Sequence, residues 1–126
     1  MSHTLFDIDR HSVIVLTTTG RASGHPHTIE IWFAQKGWTL YLLSGGGHRS
    51  DWVRNLLHTP AVAVRADAIS YSGTARLVTD AEEERMARDA VYDRYAADHA
   101  GDLTRWREAA LPIAIDIDVA MSENDQ

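Results

Sequence analysis

Residues 38–55 read Trp-Thr-Leu-Tyr-Leu-Leu-Ser-Gly-Gly-Gly-His-Arg-Ser-Asp-Trp-Val-Arg-Asn. Trp38 to Ser44 is a strand-like run. It ends in three glycines, which leave backbone N–H groups uncovered and permit φ values closed to other residues. A helix-like run begins near Ser50, and its first turn adds unpaired donors and a partial positive charge. That combination suits a phosphate or another anion; the competing reading is a plain flexible turn. No G-x-G-x-x-G is present and no βαβ unit lies behind the glycines, so a dinucleotide-binding Rossmann fold is excluded.

Upstream lies a second loop of similar chemistry, Gly20-Arg21-Ala22-Ser23-Gly24-His25-Pro26-His27. It sits between two strand-like runs, Val13 to Thr19 and Thr28 to Phe33, where Ile29, Ile31 and Phe33 share one face and Glu30 and Trp32 the other. Arg21 offers a planar set of donors that matches phosphate or carboxylate. Lys36-Gly37 makes the turn into Trp38. Downstream, Ser50–Leu57 is a short helix that Pro60 ends, with Trp52, Val53 and Leu56 able to pack. Residues 61–66 and 70–79 form a hairpin. Thr79-Asp80-Ala81-Glu82 has capping-box spacing and opens a helix over residues 80–98, with Met86, Ala90 and Tyr95 on its apolar side. A helical turn surrounds Trp106. Ile113, Ile115, Ile117 and Val119 then alternate with Ala114, Asp116 and Asp118 as a half-buried strand. Only residues 1–5 and 121–126 look loose. The order β-β-β-α-β-β-α-β, dominated by antiparallel hairpins, closes most readily into a small barrel covered by helices.

The chain has 126 residues, net charge −6 and no cysteine. That length makes one domain, residues 1–126, with room for a real core. Without cysteine there is no disulfide framework, no thiolate nucleophile and no Cys-based zinc site. No apolar run approaches the roughly 18 residues that span a bilayer and no signal peptide is evident, so the expected compartment is the cytoplasm. An acidic balance argues against nucleic acid as a partner. Residues 20–58 nevertheless carry four Arg/Lys against two acids, and four of the seven histidines. A basic region on an acidic protein suggests a site for a small anionic ligand.

Three segments in order, Leu16–Gly24, Trp38–Gly47 and Asp51–Leu56 with Pro60, resemble the deazaflavin-dependent nitroreductases. The resemblance runs from about Val13 to Val119 and includes a Trp-x5-Pro at Trp106 and Pro112. It implies a mainly β (α+β) antiparallel split β-barrel of six to seven strands with two or three covering helices, related to pyridoxamine-phosphate oxidases. It also implies coenzyme F420 as cofactor, and hydride transfer to a quinone, nitro compound or activated alkene. By position, Arg21, Ala22 and Ser23 occupy the family's phosphate loop, and His27 to Trp32 the strand beneath the cofactor. Leu43, Ser44 and Gly45 match the segment beside the deazaflavin ring, and Asp51, Trp52 and Asn55 the helix that closes the site. Ser44 would stabilise charge on the acceptor oxygen, a catalytic part. Relatives of this barrel often pair, which leaves the oligomeric state open between a monomer and a homodimer.

Three positions depart from the family pattern. Ala22 stands where members commonly have lysine, His27 where they have arginine, and Glu30 where many have proline. The first two remove fixed positive charge, which keeps two alternatives open: an FMN-dependent barrel, or a cofactor or hydrophobic-ligand binding protein without turnover. Either the acid pair to Arg21 is internal, or Glu30 marks a subgroup with a different ligand. His25 and His27 lack a third ligand at metal-binding spacing, so no metal is expected. Trp32 and Trp52 either stack on a planar ring or pack in the core. Tyr92 and Tyr95 face the same choice between a pocket wall and helix packing, and Glu82–Glu84 reads as a favourable first helical turn.

Overall fold

The computed structural model describes residue 8, residues 12–96 and residues 101–120. Seven strands make one antiparallel sheet: β1 (Ile14–Thr19), β2 (Pro26–Ile31), β3 (Ala34–Lys36), β4 (Thr39–Ser44), β5 (Ala61–Ala66), β6 (Ile69–Leu77) and β7 (Leu111–Ala120). Their order across the sheet is β2-β1-β5-β6-β7-β4-β3. Three helices cover it: α1 (Asp51–His58), α2 (Ala81–Ala96) and α3 (Thr104–Ala109).

The strand order explains the curl. The two outermost strands, β2 and β3, are consecutive in the chain and separated only by Trp32 and Phe33. Two extended residues reach only about 7 Å. The sheet therefore curls until its edges approach, which makes the expected split barrel. β3 is absent from the six-strand reading of the sequence. Three residues, Ala34 to Lys36, are too few to display an alternation, and only pairing with Tyr41, Leu40 and Thr39 defines them.

Burial splits the apolar residues between two cores. Ile14, Leu16, Phe33, Leu40, Leu42, Val64, Ile113 and Ile115 fill the barrel, together with Val53 and Leu56 from α1. Tyr41, Leu43 and Ala114 point outward, where Ala87, Val91 and Tyr95 of α2 cover them. Both faces of β4 are thus buried, which accounts for its unbroken apolar run. The buried side of α2 is Ala87, Val91 and Tyr95, spaced by four; Met86 and Ala90 lie half-buried beside it. Residues 97–98 of the anticipated helix lie outside the described residues, as do the loose ends at residues 1–5 and 121–126.

Gly73 marks the corner of the barrel. The β6–β7 register shifts between Ser72 and Gly73. A Cβ at Gly73 would lie 2.8 Å from Ile115 Cγ2 and 2.9 Å from the Asp116 carbonyl oxygen. Only glycine lets the strands approach so closely at this bulge.

Helix α2 starts one residue later than the capping box suggests. Asp80 is the cap, its Oδ2 accepting from the Glu83 N–H at 2.9 Å. This frees the Glu83 carboxylate, which accepts two bonds from Arg76 (2.9 and 2.8 Å) and one from the Tyr41 hydroxyl (2.6 Å). Arg76 Nε also donates to Asp116 Oδ2 at 2.8 Å. The acidic run therefore does more than complement a helix terminus: Glu83 ties α2 to β4 and β6, and Glu84 pairs with Arg88 at 2.8 Å. The Arg76 bonds hold the Glu83 carboxyl down at about 2, from an ordinary value of 4.5. Burial, reinforced by Glu83, pushes the Tyr41 phenol up to about 12.

A carboxyl lowered by folding stabilises the fold above its unfolded value, and that stabilisation is lost as pH falls through the folded one. Glu83→Gln is expected to cost about 1.5–3 kcal/mol at neutral pH, the range for hydrogen bonds to charged groups. The deficit should shrink as pH drops from 4.5 towards 2. Thermal melts of both proteins across that range check it; a deficit that stays constant with pH would show that Glu83 acts through packing alone.

Candidate functional site

The hairpin between β1 and β2 builds one wall of the site. The Gly20 N–H donates to the His25 carbonyl and the Gly24 N–H to the Gly20 carbonyl, both at 2.8 Å. Gly24 adopts φ +76°, which an L side chain resists. Ser23 Oγ accepts from the His25 N–H at 3.1 Å, which leaves its own O–H to donate. A Cβ on Gly20 would meet His27 Nε2 at 2.7 Å and Ser23 Oγ at 2.8 Å. Glycine at this position lets both side chains fold over the loop.

Helix α1 builds the opposite wall and sets the arginine. Asn55 is only 4% exposed. Its Oδ1 accepts from Arg21 Nη1 at 2.8 Å and from the Arg21 backbone N–H at 3.1 Å. Its Nδ2 donates to Thr18 Oγ1 at 3.3 Å. One buried amide thus joins loop, helix and barrel wall. Arg21 Nη2 reaches Asp51 Oδ1 at 3.2 Å. The acid on Arg21 is Asp51, whereas Glu30 is exposed on β2 opposite Val15.

Between these walls lies an open cleft of about 530 Å³, lined on its polar side by Arg21, Ser23, His27, Asp51 and Asn55. Ala22, Ile29 and Trp52 are among its apolar lining. The volume falls within the range of small-molecule and cofactor sites. A planar cation, a hydroxyl and an imidazole beside an apolar wall make a donor set that fits a phosphate attached to a flat ring system.

Seven of the anticipated site residues meet here: Arg21, Ala22, Ser23, His27, Asp51, Trp52 and Asn55. Four do not line the cleft. Trp32 stacks on Tyr95, with centroids 4.3 Å apart and planes 4° apart, and meets Trp106 edge-on at 5.6 Å. Leu43 is buried in the outer core. Gly45 faces Trp106, 3.5 Å from where its Cβ would be. Ser44 is 2% exposed. Its hydroxyl donates to the Gly47 carbonyl at 3.1 Å, so the Ser50 hydroxyl donates to it at 3.0 Å. With its proton committed inside the loop, Ser44 gains no support here for the catalytic part expected of it. The triple glycine shapes a 3-10 turn, Gly47–Arg49, rather than the cleft.

Thr18, Gly20, Thr28 and Ile29 also line the cleft; Gly20 belongs to the loop and Thr28 and Ile29 to the strand that the sequence places beneath the cofactor, whereas Thr18 was not anticipated at the site. Thr18 left a signal: it continues the inward face of Ile14 and Leu16, where a buried hydroxyl needs a partner. Tyr95 resolves towards packing, with its hydroxyl bonded to the Ser12 carbonyl at 2.6 Å. Tyr92 lies under the Arg107 guanidinium, 4.8 Å from its ring centroid. Among the described residues, no three His, Asp or Glu side chains are placed to hold a metal ion, and no helix is long and apolar enough to cross a membrane.

The model of the F420H(2)-dependent quinone reductase family matches residues 3–118. The chain belongs to this family. It is accordingly an F420-dependent oxidoreductase, coenzyme F420 is its cofactor, and its reaction partner is a small molecule. Solved structures agree on the fold. An F420-H2 dependent reductase, FDR-A, superposes with TM-score 0.67 at 17% identity, over 86% of this chain and 95% of that one. The heme storage protein HutZ of Vibrio cholerae gives TM-score 0.68 at 15% identity, over 91% and 90%. An FAD-binding protein of Mesorhizobium loti gives 0.63 at 16%, over 87% and 83%. One barrel thus carries a deazaflavin reductase, a heme storage protein and an FAD-binding protein. The fold does not select the cofactor; for this reductase, membership of the family does.

Proposed function

We propose that the reductase holds reduced F420 along the Arg21 cleft and reduces a small electrophile: a quinone, a nitro compound or an activated alkene. The observation that carries this reading is the Arg21 guanidinium, fixed by Asn55 and Asp51 at the mouth of a cleft with an apolar wall. When bound, the reduced deazaflavin supplies a hydride. The chain's own residues bind and orient. Arg21, Ser23 and His27 would hold the phosphate, and Trp52, Ile29 and Ala22 would lie against the less polar part of the cofactor. Asn55 would hold Arg21 in place before the ligand arrives, which lowers the ordering cost of binding. With alanine at position 22, Arg21 is the one fixed cation among the described residues that line the cleft. No side chain needs to act as a nucleophile, since the hydride comes from the cofactor.

Fluorescence titration of the purified protein with reduced F420 and with FMN tests the site. The deazaflavin is expected to bind more tightly, and the absorbance of oxidised F420 should reappear when a benzoquinone is added and takes the hydride. Tighter binding of FMN would overturn the cofactor assignment. Tight F420 binding without turnover of quinone, nitro or alkene acceptors would identify a carrier instead.

A further inference from the structure

The cleft pairs the Arg21 guanidinium with a carboxylate. Arg21 Nη2 and Asp51 Oδ1 are 3.2 Å apart, and the Asp51 side chain is 84% exposed. Asn55, the other partner of the guanidinium, is neutral and buried. Asn55 therefore positions Arg21, while Asp51 determines how much of its charge a ligand meets. Among the described residues that line the cleft, Arg21 and Asp51 alone carry fixed charge, and they cancel. Such a site differs from the usual phosphate site, in which several cations and backbone donors face a dianion.

We propose that Asp51 is a specificity-determining residue, which makes the Arg21 position accept a singly charged phosphodiester and disfavour a doubly charged phosphate monoester. The proposal rests on the reading of this cleft as the cofactor site. A phosphodiester brings one negative charge, so Arg21 then faces two singly charged groups, the diester and Asp51. A terminal monoester carries close to two charges at pH 7–8. Its second charge would lie near the Asp51 carboxylate with no further fixed cation among the described lining residues to offset it, Ala22 standing where a lysine would supply one. Like charges about 5 Å apart at a protein surface oppose binding by roughly tenfold, and salt screens the effect. F420 carries its phosphate as a diester and FMN carries a monoester, so this one carboxylate bears directly on the choice between them.

The test measures dissociation constants at pH 8 and low ionic strength for F420, FMN and riboflavin, which is FMN without its phosphate. The proteins are wild type, Asp51→Asn, Asp51→Glu and Arg21→Ala. Asp51→Asn is expected to tighten FMN by roughly tenfold, to leave riboflavin within twofold and to change F420 by less than FMN. Asp51→Glu keeps the charge and should keep the wild-type discrimination. Added salt should close the gap between wild type and Asp51→Asn for FMN. If Asp51→Asn gains no more for FMN than for riboflavin, or if Asp51→Glu behaves like Asp51→Asn, the proposal falls. Arg21→Ala separates the two levels. Weakened F420 binding together with no gain in Asp51→Asn would leave the site standing and remove the role of Asp51. Unchanged F420 binding in Arg21→Ala would remove both. Thermal melts of each variant show that the fold is intact.

Discussion

Arg21→Ala is expected to weaken F420 binding by about 1.5–3 kcal/mol, roughly ten- to hundredfold, the range for hydrogen bonds to a charged group. Asn55 receives both the Arg21 backbone N–H and its guanidinium, and only the second bond is lost on truncation. The loop keeps its backbone tie to α1, and Asn55 Nδ2 keeps Thr18. Stability should therefore change little while affinity falls. Arg21→Lys is the useful companion: it retains the charge but not the planar pair of donors, so it should recover only part of the loss. Equal affinity in wild type and Arg21→Ala, measured by fluorescence titration, would place the phosphate elsewhere.

Tyr95→Phe is expected to destabilise the fold by about 2–4 kcal/mol, from one lost bond plus a buried donor left unsatisfied. The Tyr95 hydroxyl donates to the Ser12 carbonyl at 2.6 Å and accepts the Phe33 N–H at 3.1 Å. It also receives Arg94 Nε at 3.1 Å. Phe33 lies in the two-residue link between the edge strands and is fully buried, so its N–H has no water to turn to. One phenol thus fastens α2 to the seam where the sheet edges approach. Phenylalanine keeps the ring and its stacking on Trp32, which isolates the hydroxyl's share. The melting temperature should fall by on the order of 10 °C. A shift within a degree or two would mean that the Phe33 N–H finds another acceptor, and would remove Tyr95 as the fastener of the seam.

Much of the fold was legible because alternation reports burial directly. Ile113, Ile115 and Ile117 face the barrel as their spacing requires, and β1 shows the same pattern at Ile14, Leu16 and Thr18. Local spacing does not say what a face packs against. On α2 the chain offers two overlapping apolar sides, Met86–Ala90 and Ala87–Val91, and the outward residues of β4 decide between them. Glu83 shows the same limit for charge: its place in the first turn of a helix was readable, but its partner Arg76 lies on a strand that only the folded sheet brings near.

The candidate site divides in the same way. By itself the sequence determined the antiparallel barrel, the glycine-flanked Arg21 loop and the likeness to the deazaflavin reductases, because each rests on neighbours in the chain: alternating side chains, glycines at a turn, motifs in order. Only the tertiary structure decided which candidates share a cleft. Arg21 meets Asn55 across 34 residues and Asp51 across 30, while Trp32, next to the strand that lines the cleft, turns to Tyr95 in the outer core. A side chain's direction at the end of a strand, and the acid that an arginine finds, follow from how the sheet curls. That curl is set by pairings between distant strands and by the two-residue link that draws its edges together, neither of which short-range spacing encodes.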